Sequence, residues 1–347
     1  MPTDLHRIIA PESNLPSGTA WMLADIMESR GKQDMWLRQR PETLAAIRQQ
    51  AMVHSVESSN RIEGVTVPRE RLRPLLLEQS RPRDRSEEEL AGYRKAMDWI
   101  FAGSSETELA PSVILRLHEL AQGGFSGDAG KWKQRDNEII EIASNGERRI
   151  RFRPTSAAQT PSAIANLCRD YNAAIDAGSG PALLAAAWLI FEFLCVHPFR
   201  DGNGRVSRLL TTFLLERQGF AVCRYASLER LVEESKRDYY DVLERCSAGW
   251  HEGRNEIFPW INYFLGICRR GYRELSGRVD AAGDDGKGML IRRAALARES
   301  SFTLAELHAS CPTASAQLVK KVLARMKAAG EARLEGRGRG ASWRIVR

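Results

Sequence analysis

The sequence predicts a mainly helical protein with one β-hairpin in its middle and a small winged helix-turn-helix domain at its C-terminus. Three observations carry this. Apolar residues recur at helical spacing through most of residues 20–122 and 162–273. Residues 123–155 instead alternate apolar and polar on either side of Asn145-Gly146, a strong hairpin signal. SGRVDAAGDDGKG, residues 276–288, is small, polar and glycine-rich, and three helix-like segments with a glycine-tipped hairpin follow it.

Taken in order, PETLAAIRQQAMVHSVESSNRIEG opens with Pro41, a good early-helix residue, and closes at Gly64, a good stop. VTVPRERLRPLLLEQ reads as a turn and a helix. SEEELAGYRKAMDWIFAG has acidic residues in its first turn and Gly103 after its last. PSVILRLHELAQ, residues 111–122, repeats the pattern. Beyond the hairpin, helices resume near Ser162 and run to about Arg273. After the glycine-rich stretch come MLIRRAALARES, FTLAELHAS, TASAQLVKKVLARMKAAG and the hairpin EARLEGRGRGASWRIV.

At 347 residues, 43% hydrophobic and 27% charged, the chain has the composition of a soluble globular protein with room for two or three domains. Cys168, Cys195, Cys223, Cys246, Cys268 and Cys311 form no CxxC pair or metal-ligand spacing, which suits a reducing cytosol. The first residues lack the basic start and apolar core of a signal peptide, and the most apolar stretch, 182–196, is too short to span a bilayer. A cytoplasmic protein with no membrane partner is the expectation. The net charge of +7 is uneven: from Lys287 onward there are 13 Lys and Arg against 4 Asp and Glu, so the rest is slightly acidic.

The densest polar chemistry lies in HPFRDGNGR, residues 197–205, between the apolar PALLAAAWLIFEFLCV and the helix-like VSRLLTTFLLERQG. A plain turn needs one Gly and one Asp. Here Gly202 and Gly204 bare backbone N–H groups at a helix start, which favours an anion. Arg205 and Arg208, three apart, share one face of the first turn, and two guanidiniums suit a polyphosphate. Asp201 in so positive a setting is best explained as a Mg²⁺ ligand. His197, at the end of the preceding helix, is the side chain best suited to accept a proton near neutral pH.

His197-Pro-Phe199-Arg-Asp201-Gly202-Asn203-Gly204-Arg205-Val-Ser-Arg208 resembles the Fic motif HxFx(D/E)GNGRxxR at every fixed position. The resemblance covers roughly residues 108–268. It implies a Fic-type helical core with a β-hairpin flap, and a protein adenylyltransferase that moves AMP from ATP to a Ser, Thr or Tyr hydroxyl of a protein target, itself included, with Mg²⁺. By that resemblance His197 is the base and Phe199 a core anchor. Asp201 holds Mg²⁺, Asn203 and the backbone of Gly202–Gly204 cradle phosphates, and Arg205 and Arg208 pair with the β- and γ-phosphates. Gly204 favours AMP transfer, since the family's kinase-like branch has Lys there; branches using UTP or CDP-choline stay open. The hairpin becomes the flap that aligns a target segment, with Glu138, Ile139, Ile140 and Glu141 as the pairing edge. Tyr239 and Tyr240 match a Tyr pair of the nucleotide pocket, while Ser247 departs from an Asn found in some relatives.

SSNRIEG contains Ser59-x-x-x-Glu63-Gly64, which resembles the family's inhibitory (S/T)xxxE(G/N) motif. Ser59 and Glu63 fall on one helix face. The resemblance implies that Glu63 pairs with Arg208 in place of the γ-phosphate and misplaces ATP. The expected organisation is then an N-terminal helical region at 1–107 with an inhibitory helix at about 42–64, and a Fic core at 108–275 with its flap at 130–155. A linker at 276–288 and a winged helix-turn-helix domain at 289–347 complete it. In that last domain Lys320, Lys321, Arg325 and Lys327 join the hairpin tip Arg337 and Arg339, a pattern open to DNA binding or to dimerisation. Two rival functions follow: a DNA-binding regulator using the pocket as a nucleotide sensor, and an enzyme that removes AMP, with Glu63 orienting water. Some braked relatives form homodimers, so that state is open here too.

Overall fold

The computed structural model describes residues 4–10, 14–37, 41–77, 80–103, 107–123, 127–142, 148–298, 300–312, 314–336 and 341–346. The chain forms two compact units, Met1–Leu275 and Ser276–Arg347. In the first, helices α1 (His6–Ile9), α2 (Ser17–Leu37), α3 (Pro41–Ile62), α4 (Arg69–Leu76), α5 (Arg85–Gly103) and α6 (Pro111–Gln122) precede a hairpin of β1 (Ile139–Ile142) and β2 (Arg148–Phe152). Then come α7 (Thr160–Asp176), α8 (Ala182–Val196), α9 (Asn203–Arg217), α10 (Val222–Tyr225), α11 (Leu228–Glu234), α12 (Lys236–Ser247) and α13 (Phe258–Leu296), whose residues from Ser276 on count with the second unit.

α8 is the axis of this unit. Every residue from Leu183 to Val196 is buried, which explains a sequence apolar on all faces. α8 packs on α7 and α9, and α9 on α5 and α6. α3 lies against α5, α9, α10 and α11, so the segment carrying Ser59 reaches the start of α9. α3 stops where Gly64 takes a left-handed backbone at φ 82°, as the sequence predicts.

The second unit buries Ile291, Phe302, Leu307, Val319, Val322 and Leu323. Its α14 (Leu304–Ala309) carries a capping box between Thr303 and Glu306. α15 (Ala316–Ala328) leads to an antiparallel pair, β3 (Ala332–Glu335) and β4 (Ser342–Ile345), and Phe302 bridges to Trp343. Lys320, Lys321, Arg325 and Lys327 are all exposed on α15, whereas Arg337 and Arg339 lie outside the described residues.

Two expectations need correction here. Residues 276–288, read as a linker, are helical and belong to α13, and MLIRRAALARES supplies the end of that helix rather than a new one. Glycine weakens a helix by only ~1 kcal/mol per position, and extending an existing helix avoids the cost of nucleating one. The hairpin is also shorter than the alternation over 123–155: its strands span 139–142 and 148–152, and Asn145-Gly146 lies outside the described residues.

Candidate functional site

The site begins where α8 ends. Pro198 cannot extend the helix, and His197 caps it at φ 51°, ψ 61°, the one non-glycine residue with positive φ among those described. A left-handed backbone outside glycine costs ~1–2 kcal/mol, so the surroundings must hold it. Its N–H still donates to the Phe193 carbonyl at 2.9 Å. The imidazole is fixed as well: Nδ1 lies 3.3 Å from the Leu194 carbonyl, which can only accept. Nδ1 therefore carries the proton and Nε2 the lone pair. Burial, aided by the Lys133 charge and opposed by the Leu194 bond and Glu63, pushes the His197 pKa down to about 4. At neutral pH the ring is an uncharged base.

The loop that follows is tied from within and from outside. Phe199 is fully buried, its ring stacked 3.8 Å from His118 and 5.2 Å from Trp132. The Phe199 N–H donates to Asn203 Oδ1 at 2.9 Å, and Asn203 Nδ2 donates to the Phe199 carbonyl at 2.8 Å. The Asn203 amide, expected at the phosphates, thus closes the loop on itself. Asn137 Nδ2 adds a second bond to the Phe199 carbonyl at 3.1 Å, and buried Lys133 donates to the Val196 carbonyl at 3.1 Å. Burial pushes the Lys133 pKa down to about 8. His118 accepts from the Gly130 N–H at Nδ1 and so donates from Nε2 to the Asp201 carbonyl at 3.2 Å. His118, Lys133 and Asn137 carry no local sequence signal, because their roles arise from contacts distant in sequence.

Gly202 takes φ 82° at the start of α9, and a Cβ there would strike the Gln122 amide. The Asp201 side chain is 54% exposed; Oδ1 accepts from the Gly202 N–H at 2.7 Å, while Oδ2 lies 3.3 Å from Arg85 and 3.6 Å from Arg205. Arg205 is buried and paired with buried Glu89 of α5 at 2.8 Å, a partner the sequence did not suggest.

Arg208 is also buried. Nε donates to Ser59 Oγ at 2.8 Å, and NH2 donates to the Ser59 carbonyl at 2.9 Å and Glu63 Oε1 at 2.7 Å. Burial opposes its charge, yet Glu63 above all holds its pKa above the ordinary arginine value. The Glu63 carboxylate reaches past residue 204, where any Cβ would collide with Oε1. The end of α3 is anchored further: Lys236 Nζ donates to the Ile62 carbonyl at 2.6 Å, and Arg61 pairs with Glu233 at 3.3 Å.

Some of these groups border a cavity open to solvent, with about 620 Å³ of empty space when the solvent at its mouth is included. His197, Gly204 and Glu63 stand in its wall, together with Arg151 from β2 and Ile139 from β1. Tyr239, Tyr240, Leu243 and Ser247 of α12 complete an aromatic and apolar part. The two tyrosine rings meet edge to face at 5.2 Å, and Tyr239 also packs on Trp260. Asp201, Gly202, Asn203 and Arg205 do not line this cavity, and Arg208 lies behind Glu63. Of the expected flap edge, Ile139 faces the cavity and Ile140 is exposed; only the backbone of Glu141 is described, and Glu138 pairs with Arg153 at 3.3 Å. Among the described residues β1 pairs with β2 alone, and no strand lies along its other edge.

Part of this region is similar to known proteins. Residues 108–215 match the model of the Fic/DOC family. The chain is 31% identical over 87 residues to a protein adenylyltransferase Fic of Nematostella vectensis, covering 24% of this chain and 17% of that protein. It is 27% identical over 100 residues to protein adenylyltransferase fic-1 of Caenorhabditis elegans, covering 29% and 17%. The chain thus spans about a sixth of the length of these curated relatives. Among solved structures, a Fic domain containing signaling protein from Bacteroides thetaiotaomicron superposes with a TM-score of 0.63 at 24% identity, covering 74% of this chain and 97% of that one. A Fic family protein from Desulfovibrio desulfuricans gives 0.60 at 19% identity, covering 97% and 98%. A Fic/DOC family match thus covers residues 108–215, and the superposing solved structures share that fold.

Proposed function

We propose that the chain is an autoinhibited protein adenylyltransferase, using ATP to place AMP on a Ser, Thr or Tyr hydroxyl of a protein. The observation that carries the reading is the joint placement of a neutral imidazole with a free Nε2 and an arginine whose donors go to Ser59 and Glu63. The cavity offers room for a nucleotide, with an aromatic part suited to a base and a helix start suited to phosphate.

In this reading the acceptor hydroxyl oxygen attacks the α-phosphorus of ATP. Its proton passes to His197 Nε2. The bond from the α-phosphorus to the oxygen bridging the β-phosphate breaks, and pyrophosphate leaves. His197 holds the accepted proton while Leu194 fixes the ring, so positioning carries much of the rate. Asp201 fits a Mg²⁺ site in its donor chemistry: a half-exposed carboxylate on the loop, with Oδ1 set by the Gly202 N–H. Mg²⁺ commonly joins one or two carboxylates to substrate phosphates, whose charge it neutralises. Arg208 would hold the γ-phosphate once Glu63 withdraws; while the two are paired, that position is taken by a carboxylate.

The test is the Glu63→Gly protein incubated with Mg²⁺ and ATP, followed by intact-mass and peptide mass spectrometry. An added AMP on an acceptor hydroxyl, absent or much weaker in the parent, is the expected result. No added mass in the variant counts against the reading, and loss of AMP from a premodified protein would favour the AMP-removing one. A DNA-binding role for the second unit, and its reading as a winged helix, draw support from the exposed Lys320, Lys321, Arg325 and Lys327 on α15. Salt-dependent retention of duplex DNA by the whole chain, lost on replacing Lys320 and Lys321 by Glu, is the matching measurement.

A further inference from the structure

Arg151 enters the cavity because the flap is irregular. Along the hairpin Ile139 pairs with Phe152, yet the next residue, Ile140, pairs with Ile150. Arg151 is the extra residue of a β-bulge, left without a partner across the ladder. Regular alternation would put residues 150–152 on alternating faces, with Ile150 and Phe152 alike. Instead Phe152 is buried against Trp250 while Ile150 is 41% exposed. The bulge turns the side chain between them towards the cavity, whose wall it shares with His197, Gly204 and Tyr240.

The guanidinium arrives there underused. Its Nε is buried and has no hydrogen-bond partner among the described residues. A buried donor of a charged group left unpaired is unfavourable, and it leaves the guanidinium with capacity to bind an incoming acceptor. Three arginines of the loop after α8 have carboxylate partners, Arg200 with Asp128, Arg205 with Glu89 and Arg208 with Glu63, although Arg205 Nε and Arg208 NH1 are, like Arg151 Nε, without a hydrogen-bond partner among the described residues. The groups near Arg151 in the wall are an imidazole, phenols and apolar side chains, with Glu63 held by Arg208. A forked cation in that position suits a phosphate, which accepts two of its N–H bonds at once.

Building on the nucleotide reading of this cavity, we infer that Arg151 is a substrate-contacting residue of the flap that binds the phosphate group facing His197, the α-phosphate. The flap thereby supplies a cation to the group being transferred, and the bulge supplies the aim. Nucleotide and target would meet at one hairpin, with β1 offering its outer edge and β2 this side chain.

The experiment compares Glu63→Gly protein with the same protein carrying Arg151→Ala or Arg151→Lys. Calorimetry measures AMP and adenosine binding, and steady-state labelling measures transfer from ATP. The expected result is an AMP affinity about 10- to 100-fold weaker for Arg151→Ala, the size of one charge-assisted contact. Adenosine affinity stays as in the parent, and Arg151→Lys recovers part of the AMP affinity. Equal AMP affinity in parent and Arg151→Ala overturns the inference while leaving the nucleotide reading intact. Parallel loss of AMP and adenosine binding also overturns it, because that pattern means a disturbed flap or a contact to the base. A parent that binds neither compound overturns the nucleotide reading, and this inference with it.

Discussion

The loop after α8 and the flap hairpin border the same cavity and are built in opposite ways. The loop is internally braced: Asn203 bonds both backbone groups of Phe199, and His118, Asn137 and Lys133 brace it from neighbouring segments. The flap has two short strands, neither with a further strand beside it among the described residues, and a bulge, and its outer residues Ile140 and Ile150 are exposed. Under the proposed function, the difference separates two tasks. Proton transfer needs a base fixed in position and protonation state, which a buried, over-bonded loop provides. Recruitment of varied segments needs free backbone at an edge, which a thin hairpin provides.

The largest break in this comparison is chemical. His197→Asn keeps a residue that tolerates the left-handed backbone but cannot act as a base at neutral pH. In the Glu63→Gly background, transfer of labelled AMP should fall by about 10³-fold, within the range for a general base. Retained activity would remove His197 from that role.

A second test uses acid. In the unfolded chain His197 has a pKa of about 6.5, and burial lowers it to about 4 in the fold. Between these values the unfolded state binds a proton that the folded state does not. Stability from this group is therefore full above pH ~6.5, falls as the pH drops towards 4, and changes no further below. Urea midpoints from pH 7 to 4 should decline more steeply in the parent than in His197→Asn, by up to ~3 kcal/mol of difference across the window. Parallel curves would contradict the burial argument.

A third substitution strips the bracing. Asn203→Ala leaves the Phe199 N–H without its partner and should lower unfolding stability by about 2 kcal/mol by urea titration. The smallest effect belongs to the flap. Ile140→Glu on its exposed side should change stability by less than about 0.5 kcal/mol. A drop of several kcal/mol there would mean that the hairpin is as firmly built as the loop.

How much of this could be read from sequence follows the same divide. Residues 197–208 are contiguous, so offsets alone placed the histidine, the glycines and both arginines around one helix start. Ser59 and Glu63 were legible through their four-residue spacing, and their meeting with Arg208 follows from the packing of α3 on α9. The detailed use of Asn203 was not legible, because a side chain that can bind phosphate can equally bind a backbone four residues away. Glu89 opposite Arg205, and His118 behind Asp201, depend on helix packing that no local pattern encodes. The bulge at Arg151 was hidden because it is a property of register between two strands. The glycine-rich 276–288 misled for an energetic reason: composition records the cost of each glycine but not the helix already in place beside it.

All six cysteines are buried and without disulfide partners, and burial pushes the thiols of Cys195 and Cys223 well up from their ordinary value. Thiolate is the reactive form, so the native protein should be nearly inert to maleimide dyes. A single Ile140→Cys substitution would then give one labelling position on the hairpin without deleting any native sulfur. A fluorophore placed there would test, in real time, whether a peptide arrives beside β1.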